Sequence, residues 1–380
     1  MKFIVATDSF KGSISSVELV AVISNRIKER FPDASIIKIP IADGGEGTID
    51  SLITNNNGKK VYLEVTDPLF RKIQTYYGIL NDGTAIIEIA KASGLTLLDK
   101  TERNPLNTTT YGVGEIIKDA LDKGVKKFIV GIGGSATNDA GIGMLNSLGI
   151  KFFDKDKKPV PPVGKSLNNI EYIELDNFDI RLKKCQFLIA CDVDNPLFGI
   201  NGASYIYGPQ KGANTEIVKT LDLGLNHFNS LVENKLNIYN SKVPGSGAAG
   251  GLGYAFLTFF NAELKPGIDI VLEKVNIESH AQDADFIITG EGKIDMQSAM
   301  GKVLSGIGRI GIKYHVPVIA LAGNVDYSAK IMHEKGITSM FSIINKPMSF
   351  KEAINKKRTI SLVENTMEEI LWLINSIKKE

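Results

Sequence analysis

The chain reads as an α/β protein in two parts. One is a discontinuous, Rossmann-like parallel-sheet domain made from both ends of the sequence; the other is an inserted second α/β domain of mixed sheet, with a cleft expected between them. Three observations predict this. Strand-like and helix-like segments alternate near both termini. In the middle that alternation gives way to short strands separated by turn signals. Seven glycine-rich or acid-rich loops, each after an apolar run, then fall where open α/β sheets present their strand ends.

The elements follow in order. KFIVA (2–6) reads as a buried strand and Ser13–Phe31 as an amphipathic helix, capped by Ser13 or Ser15, with Glu18 three residues after Ser15. SIIKIPI (35–41) is a second strand, followed by a glycine turn and a helix from about Glu46. KKVYLEV (59–65), IQTYYGIL (73–80) and TAIIEIA (84–90) are short strands, the last two joined by an Asn-Asp-Gly hairpin turn. A helix over 112–123, a strand at 128–132 and a helix from about Asn138 come next. After the proline- and lysine-rich loop 155–165 come the strand QFLIAC (186–191) and helices near 216–233 and 250–260. From Asp285 regular alternation returns: strands at 286–290, 316–323 and 339–344, helices at 303–315 and 329–335, and one terminal helix over 350–377. The expected division is 1–65 with 285–380, interrupted by 66–284.

Composition narrows the class. At 380 residues, with 43% hydrophobic and 23% charged residues, the chain is globular and suits two domains. Its 44 basic and 43 acidic residues leave a net charge of +1, so neither nucleic acid nor an acidic membrane is an expected partner. Cys185 and Cys191 show no zinc-type spacing with the four histidines, and their scarcity fits a reduced, cytoplasmic setting. No secretory h-region is visible, and nothing approaches the roughly 18 apolar residues of a membrane span.

Glycine lets backbone N–H groups approach a bulky anion, and acids beside it can hold the metal accompanying a phosphate. DSFKG (8–12) places Asp8, Ser9 and Lys11 directly after the first strand. ADGGEGT (42–48) follows the second with Asp43, Gly44, Gly45 and Glu46; Glu46 also suits the first turn of a helix. GIGGSATNDAG (131–141) sets Gly133, Gly134, Ser135, Thr137, Asn138 and Asp139 between a strand and a helix, where N–H groups suit a phosphate. The same GIGGSA satisfies a dinucleotide pattern, with Asp154 at the required distance, so a nicotinamide-dependent oxidoreductase is the competing reading. ACDVDNPLFG (190–199) offers Asp192, Asp194 and Asn195, an oxygen set that can coordinate Mg²⁺. YGPQKGA (207–213) holds Lys211, either a phosphate contact or a solvated surface lysine. GSGAAGGLG (245–253) serves anion binding or close helix packing, and ITGEGKID (288–295) presents Gly290, Glu291, Lys293 and Asp295 at a strand end.

Several chemistries are absent. There is no P-loop motif, no protein-kinase motif set and no G-x-S-x-G elbow. His227, His280, His315 and His333 lie away from the glycine loops, which argues against histidine base catalysis.

Taken together and in this order, ATDSFKGS, PIADGGEGT, GIGGSATNDAGIGM, ACDVDNPLFG with GPQKGA, GSGAAGGLG and ITGEGKIDMQSAMGK resemble the bacterial-type glycerate kinase family. The likeness spans residues 6–302 and extends to VPVIALAG; its one mild departure is Ala140, where a second glycine is common. The resemblance implies ATP and D-glycerate as small-molecule substrates, Mg²⁺ as cofactor, and in many members 2-phosphoglycerate as product. It also implies direct in-line transfer of the γ-phosphoryl group, with positioning, charge neutralisation and a proton acceptor. Asp192 is the first choice for metal holding or base, with Asp8 and Asp43 as rivals; Lys11 and Lys293 are the neutralising cations. The GIGGSATND backbone is the expected phosphate cradle, and lobe closure on substrate is expected. The reading leaves room for a homodimer. A metabolite-sensing protein without turnover is the non-enzymatic alternative, against which the full set of loop acids counts.

Overall fold

Strand order decides where the loops of an α/β sheet can meet a ligand. The computed structural model describes residues 1–299 and 302–377. Its strands are β1 (Lys2–Val5), β2 (Ser35–Lys38), β3 (Lys59–Thr66), β4 (Lys72–Ile79), β5 (Thr84–Glu88), β6 (Lys127–Gly131) and β7 (Lys151–Phe153). The remainder are β8 (Tyr172–Glu174), β9 (Gln186–Ala190), β10 (Glu263–Lys265), β11 (Phe286–Ile294), β12 (Val318–Val325) and β13 (Ser339–Ser342). The chain divides into two compact units: Met1–Asp43, Asp50–Asn57 and Pro266–Glu380 form one, Gly44–Ile49 and Gly58–Lys265 the other.

The first unit carries a sheet ordered β13-β12-β11-β1-β2, parallel throughout. Counted along this unit alone, the order is 2-1-3-4-5, a doubly wound arrangement whose direction of winding reverses between β1 and β11. The loops after those two strands leave in opposite directions and open a crevice at their carboxyl ends. Those loops are DSFKG and the end of ITGEGKID.

Local chemistry builds this unit as expected. The helix Ser16–Arg30 begins at Ser15, whose side chain accepts the Glu18 N–H while Glu18 returns the bond, a reciprocal cap. Its apolar stripe of Leu19, Ile23 and Ile27 is fully buried and packs with Phe3, Val5, Leu362, Met367 and Ile370. One element differs: the terminal helix is two pieces, Phe350–Ala353 and Lys356–Ile377. Asn355 accepts the Arg358 N–H on its side chain and so starts the second piece as a new cap.

The second unit holds a mixed sheet ordered β10-β9-β6-β5-β4-β3. Its first four strands are parallel and β4 and β3 antiparallel. The predicted hairpin turn is present, with Gly83 at φ +80° between β4 and β5. β3 pairs with β4 along its whole length, from Lys59 to Thr66, so it belongs to this sheet and not to the first unit. The unit therefore resumes at Gly58 rather than Thr66, and ends at Lys265 rather than at residue 284.

The helix expected from Asn138 begins only at Ile142 and ends at Ser147. Ala140 (φ 49°) and Gly141 (φ 73°) are left-handed, which interrupts any helix at that point. β7 pairs with β8 in a separate two-stranded sheet, outside the six-stranded one. Among the described residues no helix is long and apolar enough to cross a membrane.

Replacing Ser15 with alanine should remove the cap without touching the core. The expected cost is about 1 kcal/mol in the urea-unfolding free energy, and an unchanged midpoint would show that the capping box contributes nothing.

Candidate active site

At the reversal point of the first unit, Asp8 leaves β1 and Glu291 lies within β11. The Asp8 N–H donates to the Gly290 carbonyl at 2.9 Å, which continues the strand pairing and sets the two acids side by side. Both are buried, at 5% and 8% exposure. Asp8 accepts the Ser9 N–H at 2.6 Å, and Glu291 accepts the Ser298 hydroxyl. Around this pair lies an exposed rim. Lys11 Nζ stands 3.6 Å from Asp43, and Lys293 Nζ 2.9 Å from Asp295.

Burial governs the protons here. Loss of solvent, then the negative charge of Asp43, pushes the Asp8 carboxyl up to about 7, against the opposing pull of the Ser9 N–H and Lys11. Glu291 is also raised to about 7, chiefly by burial, while Ser298 and Lys302 pull it down. Two carboxyls poised near neutrality in a crevice at strand ends are suited to accepting or donating a proton at physiological pH.

The second unit gathers four motifs at the carboxyl ends of β6 and β9. Gly131 has no room for a side chain: an added Cβ would lie 2.1 Å from the Gly44 carbonyl oxygen. The loop after β6 is clamped by Leu95 N–H to Gly134 O (2.9 Å) and Ala136 N–H to Ser93 O (2.8 Å). Lys211 is turned inward, 2% exposed, and donates to Ser135 Oγ at 2.9 Å and to the Thr137 carbonyl at 2.6 Å. Burial lowers this ammonium to about 7, offset in part by Asp139. Gly250 packs on the Thr137 carbonyl, and the Ala140 N–H donates to Gly250 O at 3.0 Å. Gly247 N–H donates to Asn195 O at 2.9 Å, so GSGAAGGLG rests on both neighbouring loops.

The predicted residues sort accordingly. Asp8, Ser9, Lys11, Asp43, Gly290, Glu291, Lys293 and Asp295 belong to the first unit, and Asp8, Asp43 and Glu291 influence one another electrostatically. Gly290 has a packing reason, since a Cβ there would meet Leu321 O at 2.5 Å. Gly133 and Gly134 are exposed, as is Glu46. Asp139 is different: it is fully buried and accepts four donors, the Thr110 N–H and hydroxyl and the N–H groups of Gly141 and Gly143. The start of that short helix is thus capped from within the protein, and the expected phosphate cradle contracts to the exposed glycines before Ser135. Lys211 likewise braces this loop from inside instead of standing as a surface cation. Asn195 staples its own loop, giving its amide to Asn201 O (2.9 Å) and accepting the Tyr207 hydroxyl (2.5 Å). Asp192 and Asp194 are exposed beyond β9. Met300 and Gly301 of the last motif lie outside the described residues.

Three positions that shape these loops were not singled out in the sequence. Glu88 closes β5, is 4% exposed, and accepts the Ile49 N–H at 2.8 Å with Lys91 Nζ 3.5 Å away. A lone acid ending an apolar run is the signal that marked Asp8 and Glu291, and TAIIE carries it too. Ser298 and Thr110 hold the key acids but are single hydroxyls with no local pattern.

The nicotinamide alternative fails on topology. Its acidic residue, Asp154, follows β7, which is outside the parallel sheet, and accepts the Asp156 and Lys158 N–H groups at 2.9 Å as a turn former. A dinucleotide site needs that acid at the end of the adjacent parallel strand.

A doubly wound sheet with buried acids at its reversal point, joined to a mixed-sheet unit with interlocked glycine loops, defines an α/β enzyme of small polar substrates. A sequence model of the glycerate kinase family matches residues 3–375. The chain is 44% identical over 381 residues to a glycerate kinase of Bacillus cereus, covering 100% of both chains. It is 45% identical over 354 residues to the glycerate 2-kinase of Escherichia coli K12, covering 93% of each. A crystal structure from Salmonella typhimurium LT2, assigned to glycerate kinase 2, superposes with a TM-score of 0.91 at 38% identity over 100% of both chains. The chain belongs to the glycerate kinase family.

Because the Asp8 carboxyl is raised from 3.8 to about 7, its contribution to stability is full at low pH and lost as pH rises through 7. Above that the buried charge is a net cost. Asp8→Asn should therefore stabilise the fold at pH 8 by about 1–4 kcal/mol, with a much smaller change at pH 4. Urea titrations at both pH values check this; equal shifts at the two would contradict the burial argument.

Proposed function

We propose that the protein is an ATP-dependent kinase that transfers the γ-phosphoryl group to a hydroxyl of D-glycerate, giving 2-phosphoglycerate. The observation that carries this is the buried Asp8–Glu291 pair at the reversal point of the sheet, in a chain of the glycerate kinase family. The glycerate 2-kinase among the relatives supports the 2-position as the site of transfer. A cytoplasmic location and a homodimeric assembly are part of the proposal.

In this reading the substrate hydroxyl oxygen attacks the γ-phosphorus, the bond to the β–γ bridging oxygen breaks, and ADP leaves. The hydroxyl proton passes to the Asp8 carboxylate, whose pKa near neutrality matches it to that work. Glu291, buried beside it and raised chiefly by burial, adds to the negative charge around Asp8. Lys11 and Lys293 neutralise charge at the rim, each drawn toward an acid, Asp43 and Asp295. Ser9, Gly44, Gly45 and Glu46 are binding-loop residues, and Gly133, Gly134 and Ser135 offer the phosphate-side backbone.

Among the described residues no three His, Cys, Asp or Glu side chains form a metal cage. A kinase magnesium ion needs only one or two carboxylates beside the substrate phosphates, and the exposed Asp192 and Asp194 fit that donor set. When bound, the ion would neutralise charge on the phosphates. Asp192 is thereby assigned to metal holding and Asp8 to proton transfer.

A coupled ADP-release assay with ATP and D-glycerate should show turnover, and NMR of the product should place the phosphate on the 2-oxygen. Asp8→Asn should lower kcat by about 10²–10⁴-fold, and kcat/KM of the wild type should fall as pH drops below about 7. Wild-type turnover by Asp8→Asn would remove Asp8 as the base; wild-type turnover by Asp192→Asn would remove Asp192 from the site.

A further inference from the structure

Between β5 and the helix Tyr111–Asp122 the chain carries Arg103, outside all seven glycine-rich or acid-rich loops. It is partly buried, and its Nη2 donates to the Leu95 carbonyl at 3.3 Å. Its Nε is buried with no hydrogen-bond partner, and among the described residues no carboxylate pairs with the guanidinium. The other arginines of this unit differ. Arg71 holds Asp67 and Glu102, and Arg181 holds Asp122 and Asp179. Glu102, the acid next in sequence to Arg103, is thus engaged elsewhere. A guanidinium drawn partly out of water without an acid carries a desolvation cost that a bound anion would offset.

Its neighbours place this charge beside the glycine turn after β6. Leu95, which accepts the Nη2 bond, donates its own N–H to Gly134 O at 2.9 Å. Gly212 packs on the Arg103 backbone, since an added Cβ would lie 2.1 Å from Arg103 O, and the adjacent Lys211 donates to Ser135 Oγ. The two segments that hold the turn Gly133–Ser135 therefore also hold Arg103. Gly133 and Gly134 are exposed, and Gly134 is left-handed at φ 72°. Among the described residues the N–H groups of Gly133, Gly134 and Ser135 make no hydrogen bond. Successive N–H groups in such a turn form an anion-binding concavity. We infer that Arg103 is the cation of this cradle, its guanidinium binding a phosphate group of ATP together with those three N–H groups. This rests on the kinase reading and names the side chain by which the site takes its nucleotide. The planar fork of arginine suits phosphate oxygens in pairs, which a lysine cannot match.

The test compares the full chain with Arg103→Met, which keeps the apolar stem, and Arg103→Lys, which keeps the charge. ATP with magnesium is titrated calorimetrically without D-glycerate, then varied in steady-state assays with it, and urea unfolding identifies the variants that fold. Wild-type protein should bind ATP. Arg103→Met should raise both the ATP Kd and the ATP KM at least about tenfold, with the D-glycerate KM unchanged; Arg103→Lys should recover part of that loss. Inorganic triphosphate should compete with ATP on the wild type and weaken in parallel in the variants. ATP affinity equal to wild type in every folded variant would overturn the inference and leave the kinase reading intact. A loss confined to the D-glycerate KM would move Arg103 to the acceptor's carboxylate and overturn the phosphate assignment. Wild-type protein that neither binds nor turns over ATP would overturn the kinase reading, and this inference with it.

Discussion

Keeping two carboxyl groups out of water at the turning point of a parallel sheet is the constraint on which the rest of this structure depends. Asp8 and Glu291 are brought there by backbone pairing, since β1 and β11 are hydrogen-bonded neighbours. Asp8 accepts a backbone N–H and Glu291 a serine hydroxyl, and the cations that act on them, Lys11 and Lys302, offset only part of the burial. The charged form is therefore poorly compensated, and both groups move toward neutrality. A buried ion pair would hold such an acid ionised and make it a weak base. Burial of Asp8 and Glu291 is sustained by the sheet around them, in which Phe3, Ile4, Val5, Ile287, Ile288 and Leu321 are fully buried.

The second unit solves a different problem, that of holding long loops rigid without regular structure. Its glycines are used less to meet a ligand than to let peptide groups of separate loops meet each other. Gly131 lies against the Gly44 carbonyl, Gly250 against Thr137, and Gly247 against Pro196, each at distances no side chain tolerates. Lys211 and Asp139 complete the scaffold from beneath. Lys211, buried and received by a hydroxyl and a carbonyl, is costly as a cation, and its lowered pKa reflects that. The benefit is a loop whose Ser135 is fixed by a side chain from a motif 76 residues away.

Much of this was legible in the sequence because it rests on local patterns. The Ser15–Glu18 cap, the Asn-Asp-Gly hairpin and the terminal alternation each follow from a few neighbouring residues. The acids at strand ends could be read in the same way, since Asp8 and Glu291 each follow a run of β-branched and apolar residues. Tertiary facts were not legible. Nothing in KKVYLEV says that it pairs with β4, and nothing in NDAG says that Ala140 will be left-handed. The break at Asn355 was hidden by an apolar period that continues across it. Glu88 carried a readable signal and was overlooked. Ser298 and Thr110 matter only through partners distant in space or sequence.

The inward turn of Asp139 and Lys211 changes how such glycine motifs should be read. A loop rich in glycine, threonine, asparagine and aspartate after a strand suggests a phosphate cradle because each residue type can serve an anion. The same types are needed to close a helix start and to join loops through their backbones. Position relative to solvent separates the two uses: Gly133 and Gly134 are exposed, while Thr137, Asn138 and Asp139 are fully buried. Burial follows from Gly250 and Thr110 lying on the loop, contacts that only the folded chain creates. A single motif thus carries a short exposed part that can meet a ligand and a longer buried part that holds it in shape. Substitutions in the buried part should register first in stability, and only through it in catalysis.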